Sequence, residues 1–298
     1  MEIQTQVSLK QFNGWKVGGP AEYFYSPKNL SELKKCCLWG NEKKLPITVL
    51  SGGTNSLISD QGIKGLVIHL KHLQSFEINK SKDYIQILSL SGTPKYQVFK
   101  IFSELKLAPA LFLCGLPGDM GGGVVMNAGV SYDVHPYEFS QIVDFIEVLS
   151  FKDHQIKIFK KEDLRWNYRS CTGWEEGIIY RVSLKWPFKE MENFHQQLRQ
   201  INRKRLTSQP LNHPSCGSVF RNPQNNKAGK LIEESGLKGL QIGGAKISKK
   251  HANFIINKDS ATALDIHQII CHVQKTVKDK FNIHLQPEVH YIGEWDQT

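Results

Sequence analysis

Residues 214–223 bring three kinds of polar group together: the hydroxyl of Ser218, the guanidinium of Arg221 and the carboxamide of Asn222. A hydroxyl can transfer a proton, and the other two groups can hydrogen-bond an anionic or polar ligand. The segment lies between two prolines, which disfavour helix, so these side chains are predicted on a short, stiffened turn or edge strand. A surface turn with incidental polar groups explains these residues alone equally well.

A first glycine-rich segment, residues 51–55, follows a predicted strand. Its backbone N–H groups can converge on an anion, to which the side chains of Thr54 and Asn55 can add hydrogen bonds. The spacing of its glycines matches neither the P-loop nor the dinucleotide-binding fingerprint. A phosphate-binding loop and a plain turn both stay open for this segment.

A second and denser glycine segment covers residues 115–123 and is followed by Asn127, Ala128 and Gly129. Because glycine has no Cβ, main chain of this composition can approach a large planar or phosphorylated ligand closely. The segment is predicted to be one long loop that fits a flavin or a dinucleotide lying over main chain. A flexible linker is the alternative.

The elements that position these segments are predicted from hydrophobic periodicity and indicate an α+β fold. Predicted strands cover residues 47–50, 66–70, 84–90, 141–151, 155–159, 178–186, 252–256 and 288–292. Predicted helices cover residues 30–38, 95–105, 191–205, 228–235 and 261–281. Asn29 and Ser31 are both candidates for the N-cap of the first helix.

Composition indicates a globular enzyme of about two or three domains, with 298 residues, 40% hydrophobic and 22% charged. The N-terminal residues lack the apolar core of a secretory signal, and no apolar run is long enough to cross a membrane. We therefore expect a cytoplasmic protein without a membrane partner. The cysteines and histidines show no ligand spacing, so neither a disulfide framework nor a metal site is predicted.

The net charge of +10 is compatible with a nucleic-acid partner, a small polyanion or a solvated basic surface. The Lys and Arg residues are scattered and no nucleic-acid-binding motif accompanies them. A small-molecule substrate without a nucleic-acid partner is therefore expected.

Together these segments resemble the UDP-N-acetylenolpyruvoylglucosamine reductase family over nearly the whole chain. The segments that carry the resemblance are residues 13–21, 51–57, 115–129, 168–169, 209–223, 228–257 and 286–288. Residues 228–257 are the most specific, because periodicity does not explain their order of Gly, Lys, Ser, His and Asn. The length of the chain is that of the compact subgroup, which lacks an extra tyrosine-bearing segment over the substrate.

The resemblance implies two FAD-binding subdomains of the vanillyl-alcohol-oxidase-like type, at residues 1–70 and 71–190, and a C-terminal α/β substrate domain at residues 191–298. FAD is expected to bind without a covalent link. The implied FAD-binding residues are Gly52, Gly53, Thr54, Asn55, Ser56, Gly115, Pro117, Gly118, Gly121, Gly122, Asn127, Ala128 and Gly129.

The resemblance also implies a reaction in two halves. NADPH reduces FAD and leaves, and UDP-N-acetylglucosamine enolpyruvate then receives the hydride, which yields UDP-N-acetylmuramate for peptidoglycan synthesis. Arg169 and Glu288 match the residues that stabilise the charge developing next to the substrate carboxylate. Ser218 matches the general acid that protonates the neighbouring carbon.

For the UDP-sugar, Asn222 matches a residue that contacts the substrate, and Arg221, Tyr168 and Arg205 are further candidates. Arg205 belongs to a cationic run that a solvated helix face explains as well. Ser51 departs from the family pattern, because glycine is frequent at its position. No protein partner is predicted.

Several alternatives stay open. Arg169 could form a structural ion pair with Asp163 or Glu175. The chain could be another flavoprotein oxidase of the same superfamily, although such enzymes often carry a histidine beside the first glycine segment, and none is present there. A nucleotide-binding protein without catalysis is a further alternative, against which the presence of Arg169, Ser218 and Glu288 argues.

Overall fold

The computed structural model of the protein describes residues 1–131 and 133–295. The chain divides into two compact units. Unit 1 consists of Met1–Ile3, Tyr25–Gly52 and Val67–Lys204, and unit 2 consists of Gln4–Phe24, Gly53–Leu66 and Arg205–Thr298. The predicted division into three domains stays a prediction, and the last three residues of its C-terminal domain lie outside the described residues.

The secondary structure alternates between strands and helices along the chain, which is the predicted mixture. The strands are β1 (Gln4–Ser8), β2 (Pro20–Tyr25), β3 (Ile47–Leu50), β4 (Ser56–Ile58), β5 (Ile63–His69), β6 (Phe76–Lys80), β7 (Tyr84–Leu90), β8 (Val143–Ser150), β9 (Ile156–Lys160), β10 (Arg165–Asn167), β11 (Ser170–Thr172), β12 (Gly177–Pro187), β13 (Gln241–Ile242), β14 (Ala245–Ile247), β15 (Ile255–Asn257) and β16 (His290–Ile292). The helices are α1 (Leu30–Glu42), α2 (Lys95–Glu104), α3 (Pro109–Leu113), α4 (Met120–Val125), α5 (Phe194–Ser208), α6 (Ala228–Glu234) and α7 (Ala263–Phe281).

Unit 1 contains a five-stranded antiparallel sheet with the strand order β6-β7-β12-β8-β9. Side chains alternate along β7, so Ile85 and Ile87 are buried while their neighbours are not. Helix α2 buries Val98, Ile101 and Phe102, whose spacing places them on one helix face. These residues belong to one core cluster, from which the second glycine segment emerges.

Unit 2 contains a three-stranded antiparallel sheet, β13-β14-β15, and the long helix α7. Thr262 and Asp265 cap α7 reciprocally, which satisfies backbone N–H groups at its start. Ile266, Ile270 and Val273 follow at helical spacing and are buried in the core cluster of this unit. Strands β4 and β16 pair in parallel.

Most predicted elements are confirmed, and β3 and β7 have the predicted bounds. Asn29 caps α1, because its side chain accepts a 2.9 Å hydrogen bond from the Glu32 N–H group, so the alternative cap at Ser31 is wrong. The predicted strand at residues 252–256 is wrong at its start. Phe254 donates its N–H group to the carbonyl of His251 in a turn, and β15 begins one residue later.

The prediction of one long loop over the second glycine segment is wrong in its middle, where residues 120–125 form α4. Glycine composition disfavours helix, but tertiary contact overrides it here. A Cβ atom on Gly121 would lie 2.8 Å from the Cβ atom of Ser91, so glycine lets this helix pack directly against the core.

Within the described residues, no helix has the length and apolar character that a membrane crossing requires. The same part of the chain contains no group of three or more His, Cys, Asp or Glu side chains placed to hold a metal ion.

Candidate active site

Ser218 and Glu288 lie on two neighbouring extended segments of unit 2. The N–H group of Glu288 donates a 2.7 Å hydrogen bond to the carbonyl of Val219, and Phe220 and Pro287 form an antiparallel bridge. No helix forms over residues 214–223, in agreement with the prediction from the two prolines. The fold therefore brings the backbones of two predicted catalytic residues together, although they are far apart in sequence.

Asn253 fixes this pair of segments, and the sequence analysis did not single it out. Its side chain accepts a 2.9 Å hydrogen bond from the Phe220 N–H group and donates a 2.8 Å bond to the Phe220 carbonyl. Its own carbonyl accepts from the N–H group of Val219 at 2.9 Å. The side chain is 4% exposed, so these bonds are shielded from water. An asparagine between apolar residues in the most family-specific segment was the available signal.

Replacing Asn253 by alanine is expected to lower the free energy of unfolding by about 2–4 kcal/mol, because two buried backbone groups of Phe220 lose their partner. Turnover is expected to fall as well, since the support of Ser218 is loosened. Urea unfolding followed by circular dichroism measures the first effect. Asn212→Ala, at an exposed position of the same unit, is the control and should leave the urea midpoint unchanged. Equal midpoints for the two variants would show that Asn253 does not support the segment.

The first glycine segment contributes to unit 2 through its second half. Asn55 donates its side-chain amide to the carbonyl of Glu288 at 3.0 Å, and the Asn55 carbonyl accepts from the His290 N–H group at 2.9 Å. The thiol of Cys216 lies within 3.8 Å of the Gly53 carbonyl and within 3.7 Å of the Ser56 carbonyl. Predicted cofactor residues and predicted catalytic residues are thus joined by direct hydrogen bonds within this unit.

Arg221 and Asn222 present two further polar groups. The Nε atom of Arg221 is buried and has no hydrogen-bond partner among the described residues, although a buried donor of this kind normally has one. The side-chain oxygen of Asn222 accepts a 3.0 Å bond from the N–H group of Ala228, the first residue of α6. Asn222 therefore has a fixed orientation, and Arg221 has a donor that a bound anion could satisfy. Arg205 is a residue of α5.

In unit 1, Tyr168 and Arg169 form the turn between β10 and β11, which pair with Asn167 opposite Ser170. Arg169 has a φ of 54°, in the left-handed region that residues other than glycine seldom adopt. Its guanidinium lies 4.7 Å from the centre of the Tyr168 ring. The turn therefore places both predicted side chains at one end of the hairpin.

The two carboxylates considered as ion-pair partners of Arg169, Glu175 and Asp163, make other contacts. Glu175 accepts from Lys157 at 2.7 Å, and the side chain of Asp163 accepts from the backbone N–H group of Lys160 at 2.8 Å.

Asn127 connects the second glycine segment to this hairpin. Its side chain donates to the carbonyl of Asn167 at 3.1 Å and accepts from the N–H group of Ser140 at 2.9 Å. The residue is 1% exposed and has a φ of 36°, a conformation that asparagine tolerates better than most residues. Asn127 thus positions the hairpin that carries Arg169.

The two glycine segments contact each other within unit 1. A Cβ atom on Gly52 would lie 2.8 Å from the Cα atom of Gly118, so the backbones touch. The Ser51 hydroxyl donates a 2.8 Å hydrogen bond to the carboxylate of Asp119. In contrast, a Cβ atom on Gly122 would meet no atom of the described residues within 4 Å, its own helix backbone and chain neighbours aside. The two segments are therefore in backbone contact at Gly52 and Gly118, whereas Gly122 faces open space.

Unit 1 also contains a cavity of about 710 Å³ that the sequence analysis missed. The cavity is lined by Asn41, Leu45, Ile47, Val49, Phe151, Thr172, Gly173, Trp174, Glu175, Glu176 and Gly177. None of the predicted site residues lines it, because its walls come from strand ends and connections without a recognisable motif. Its size is in the range of ligand-binding cavities.

Comparisons with known proteins identify two domains in the chain. An FAD-binding domain model matches residues 21–157, and a model of the C-terminal domain of UDP-N-acetylenolpyruvoylglucosamine reductase matches residues 209–292. The protein is therefore an FAD-dependent oxidoreductase, and the predicted fold class is confirmed.

Two sequence relatives and one solved structure identify the family to which the chain belongs. The chain is 36% identical over 98% of its length to the UDP-N-acetylenolpyruvoylglucosamine reductase of Listeria monocytogenes serotype 4a, of which it covers 95%. It is 38% identical over 98% of its length to the enzyme of that name from Prochlorococcus marinus, of which it covers 99%. The structure of UDP-N-acetylenolpyruvylglucosamine reductase (MurB) from Thermus caldophilus superimposes with a TM-score of 0.79 at 29% identity, covering 98% of this chain and 99% of that chain. The chain belongs to the UDP-N-acetylenolpyruvoylglucosamine reductase family, as the sequence analysis predicted.

Proposed function

We propose that this protein uses NADPH to reduce UDP-N-acetylglucosamine enolpyruvate to UDP-N-acetylmuramate, for peptidoglycan synthesis in the cytoplasm. The observation that carries the proposal is the pairing of the Ser218 and Glu288 segments through the Glu288 N–H group and the Val219 carbonyl. A family fold alone would not supply the reaction. The pairing of the two backbones supports the proposal that the Ser218 hydroxyl and the Glu288 carboxylate act at one site.

The residues present fit FAD. Gly52, Gly118 and Gly122 provide main chain without side-chain bulk, and the open space at Gly122 is large enough that a Cβ atom would meet no protein atom. Such a surface suits a ligand that lies directly on the backbone. We propose that FAD is bound without a covalent link.

Each proposed catalytic side chain has a separate task. Bound FAD supplies the hydride acceptor for NADPH and the hydride donor for the enolpyruvyl group. The guanidinium of Arg169 binds the carboxylate on which negative charge develops. The Ser218 hydroxyl donates a proton to the carbon beside that carboxylate. A hydroxyl is a weak acid, so this step requires an electron-rich carbon and a site that excludes water.

Glu288 is assigned to the same charge development as Arg169, and Asn222 and Arg221 to the UDP-sugar. The unpaired Nε atom of Arg221 supports the second assignment, because a phosphate oxygen would satisfy this buried donor. Tyr168 and Arg205 are kept as weaker candidates. The division into two FAD-binding subdomains and one substrate domain is part of the proposal.

Anaerobic titration tests the proposed function. The purified protein is mixed with NADPH without oxygen, and flavin absorbance is followed before and after UDP-N-acetylglucosamine enolpyruvate is added. Bleaching followed by recovery is the expected result. A flavin that bleaches and does not recover with this substrate would indicate a different oxidoreductase, and a protein that cannot be loaded with FAD would contradict the proposal.

Replacing Gly122 by alanine is expected to weaken FAD binding by about tenfold or more without lowering stability. The added methyl group meets no protein atom, and alanine favours helix over glycine by about 0.5–1 kcal/mol. Flavin fluorescence gives the affinity and thermal unfolding gives the stability. Gly52→Ala is the contrasting variant, because its methyl group would meet the backbone of Gly118 and both quantities should fall. Unchanged FAD affinity in Gly122→Ala would remove Gly122 from the cofactor site.

A further inference from the structure

Two charged side chains that the proposed reaction does not use lie at the second glycine segment. Lys95, the first residue of α2, is 4% exposed, and its ammonium donates a 2.7 Å hydrogen bond to the carbonyl of Pro117. Its backbone N–H group donates to the carbonyl of Gly118 at 3.0 Å. Asp119 follows directly and attracts Lys95 electrostatically.

Burying the Lys95 ammonium is energetically unfavourable, so its position in the fold needs a physical explanation. Removing a charged group from water destabilises a fold unless an opposite charge and hydrogen bonds compensate. Burial lowers the pKa of Lys95 to about 8, against the opposing attraction of Asp119. Burial also raises the pKa of Asp119, although Ser51 and Lys95 oppose this effect. Each charge thus reduces the cost of burying the other.

The side chain of Asp119 is not used for local structure. Asp119 occupies the N-cap position of α4, but its side chain makes no capping hydrogen bond. It accepts instead from the hydroxyl of Ser51, in the first glycine segment, at 2.8 Å. Asp119 therefore connects the two glycine segments through its side chain, beside the point where Gly52 and Gly118 touch, and Lys95 holds the second segment through Pro117 and Gly118.

We propose that Lys95, Asp119 and Ser51 form a charge-balanced clamp that holds the two glycine segments at the spacing required by the FAD diphosphate. The inference rests on the proposed FAD site. Asp119 supplies the connection to Ser51, but its negative charge alone would repel a diphosphate on the same segments. Lys95 cancels this charge, so the connection is kept without a loss of cofactor affinity. All three are positioning residues.

The clamp predicts a direction for the pH dependence of FAD binding. Below about pH 8 Lys95 is protonated and the charge of Asp119 is compensated. As the pH rises above this value Lys95 loses its proton, the negative charge remains, and the FAD dissociation constant increases. His69, which bonds to the backbone of Ser51, has a pKa lowered to about 4 by burial and stays neutral over this range. The ring of Phe139, which faces the Lys95 ammonium at 5.9 Å, carries no titratable group.

The test measures the FAD dissociation constant of apoprotein by flavin fluorescence between about pH 6.5 and about pH 9.5, a range that brackets the titration of Lys95. Lys95→Met is expected to bind FAD about tenfold more weakly at neutral pH and to lose the pH dependence. Lys95→Met combined with Asp119→Asn should regain most of the affinity, because the uncompensated charge is gone. Ser51→Ala should weaken binding, and Ser51→Thr should restore it. Lys100→Met, at an exposed position of α2, is the matched control.

The outcomes separate the clamp from the proposed function. Failure of the wild-type protein to bind FAD would contradict the FAD site itself. If FAD binds to the wild type but Lys95→Met behaves like Lys100→Met across the pH range, the clamp is wrong. It is also wrong if adding Asp119→Asn weakens binding further, as a purely structural pair would require. Should Lys95→Met fail to fold, Asp119→Asn alone decides, because it should bind FAD at least as tightly as the wild type above about pH 8.

Discussion

Replacing Ser218 by alanine is expected to leave flavin reduction by NADPH unchanged and to slow reoxidation by the enolpyruvyl substrate by about 10²–10⁴-fold. The hydroxyl acts only in the second half of the reaction, when a proton is needed at carbon. The substitution should not move the backbone, because the Asn253 side chain hydrogen-bonds both the N–H group and the carbonyl of Phe220. Anaerobic stopped-flow absorbance measures the two halves separately.

Ser235→Ala is the matched control for this substitution. Ser235 belongs to the same unit, follows α6 directly, and its hydroxyl donates a 2.8 Å hydrogen bond to the carbonyl of Leu231. Both half-reactions of the control should run at the wild-type rate. Reoxidation of Ser218→Ala at the rate of this control would exclude Ser218 as the proton donor.

Replacing Arg169 by lysine is expected to slow substrate reoxidation by about 10–100-fold, because an ammonium cannot offer a carboxylate the planar, paired donors of a guanidinium. Arg169→Met should have a larger effect, since the charge is lost as well. Reduction by NADPH should change far less than reoxidation. Single-turnover kinetics at saturating substrate distinguish a slower chemical step from weaker binding.

Arg165→Lys provides the control on the same hairpin, at an exposed position of β10. This variant makes the same arginine-to-lysine substitution at a position outside the turn, so both half-reactions should be unaffected. If Arg165→Lys and Arg169→Lys slow the reaction equally, the effect comes from the hairpin as a whole. The assignment of the substrate carboxylate to Arg169 would then be incorrect.

Local patterns in the sequence determined the elements. Strand β7 shows a period of two, and α7 begins with a reciprocal cap and continues with helical spacing of Ile266, Ile270 and Val273. These signals depend on neighbours in the chain, so they can be recognised without a structure. The glycine segments and the order of residues 228–257 likewise identified the family and its cofactor before any fold was known.

Local signals failed where contacts between distant residues decided the conformation. The second glycine segment reads as a loop, because glycine disfavours helix. In the fold, α4 forms there because Gly121 can lie against Ser91, which is thirty positions earlier in the chain. The burial of Lys95 is likewise not predictable from its neighbours in the chain, because a lysine side chain at the start of a helix is normally exposed to water.

The sequence by itself therefore determined the family, the cofactor class and the identity of the catalytic candidates. Only the tertiary structure decided how they are supported: the backbone of Glu288 against Val219, the double hydrogen bond of Asn253 to Phe220, and the hold of Asn127 on the Arg169 hairpin. The reason is physical. Each of these is a hydrogen bond between residues far apart in the chain, and its strength depends on burial that no local pattern encodes.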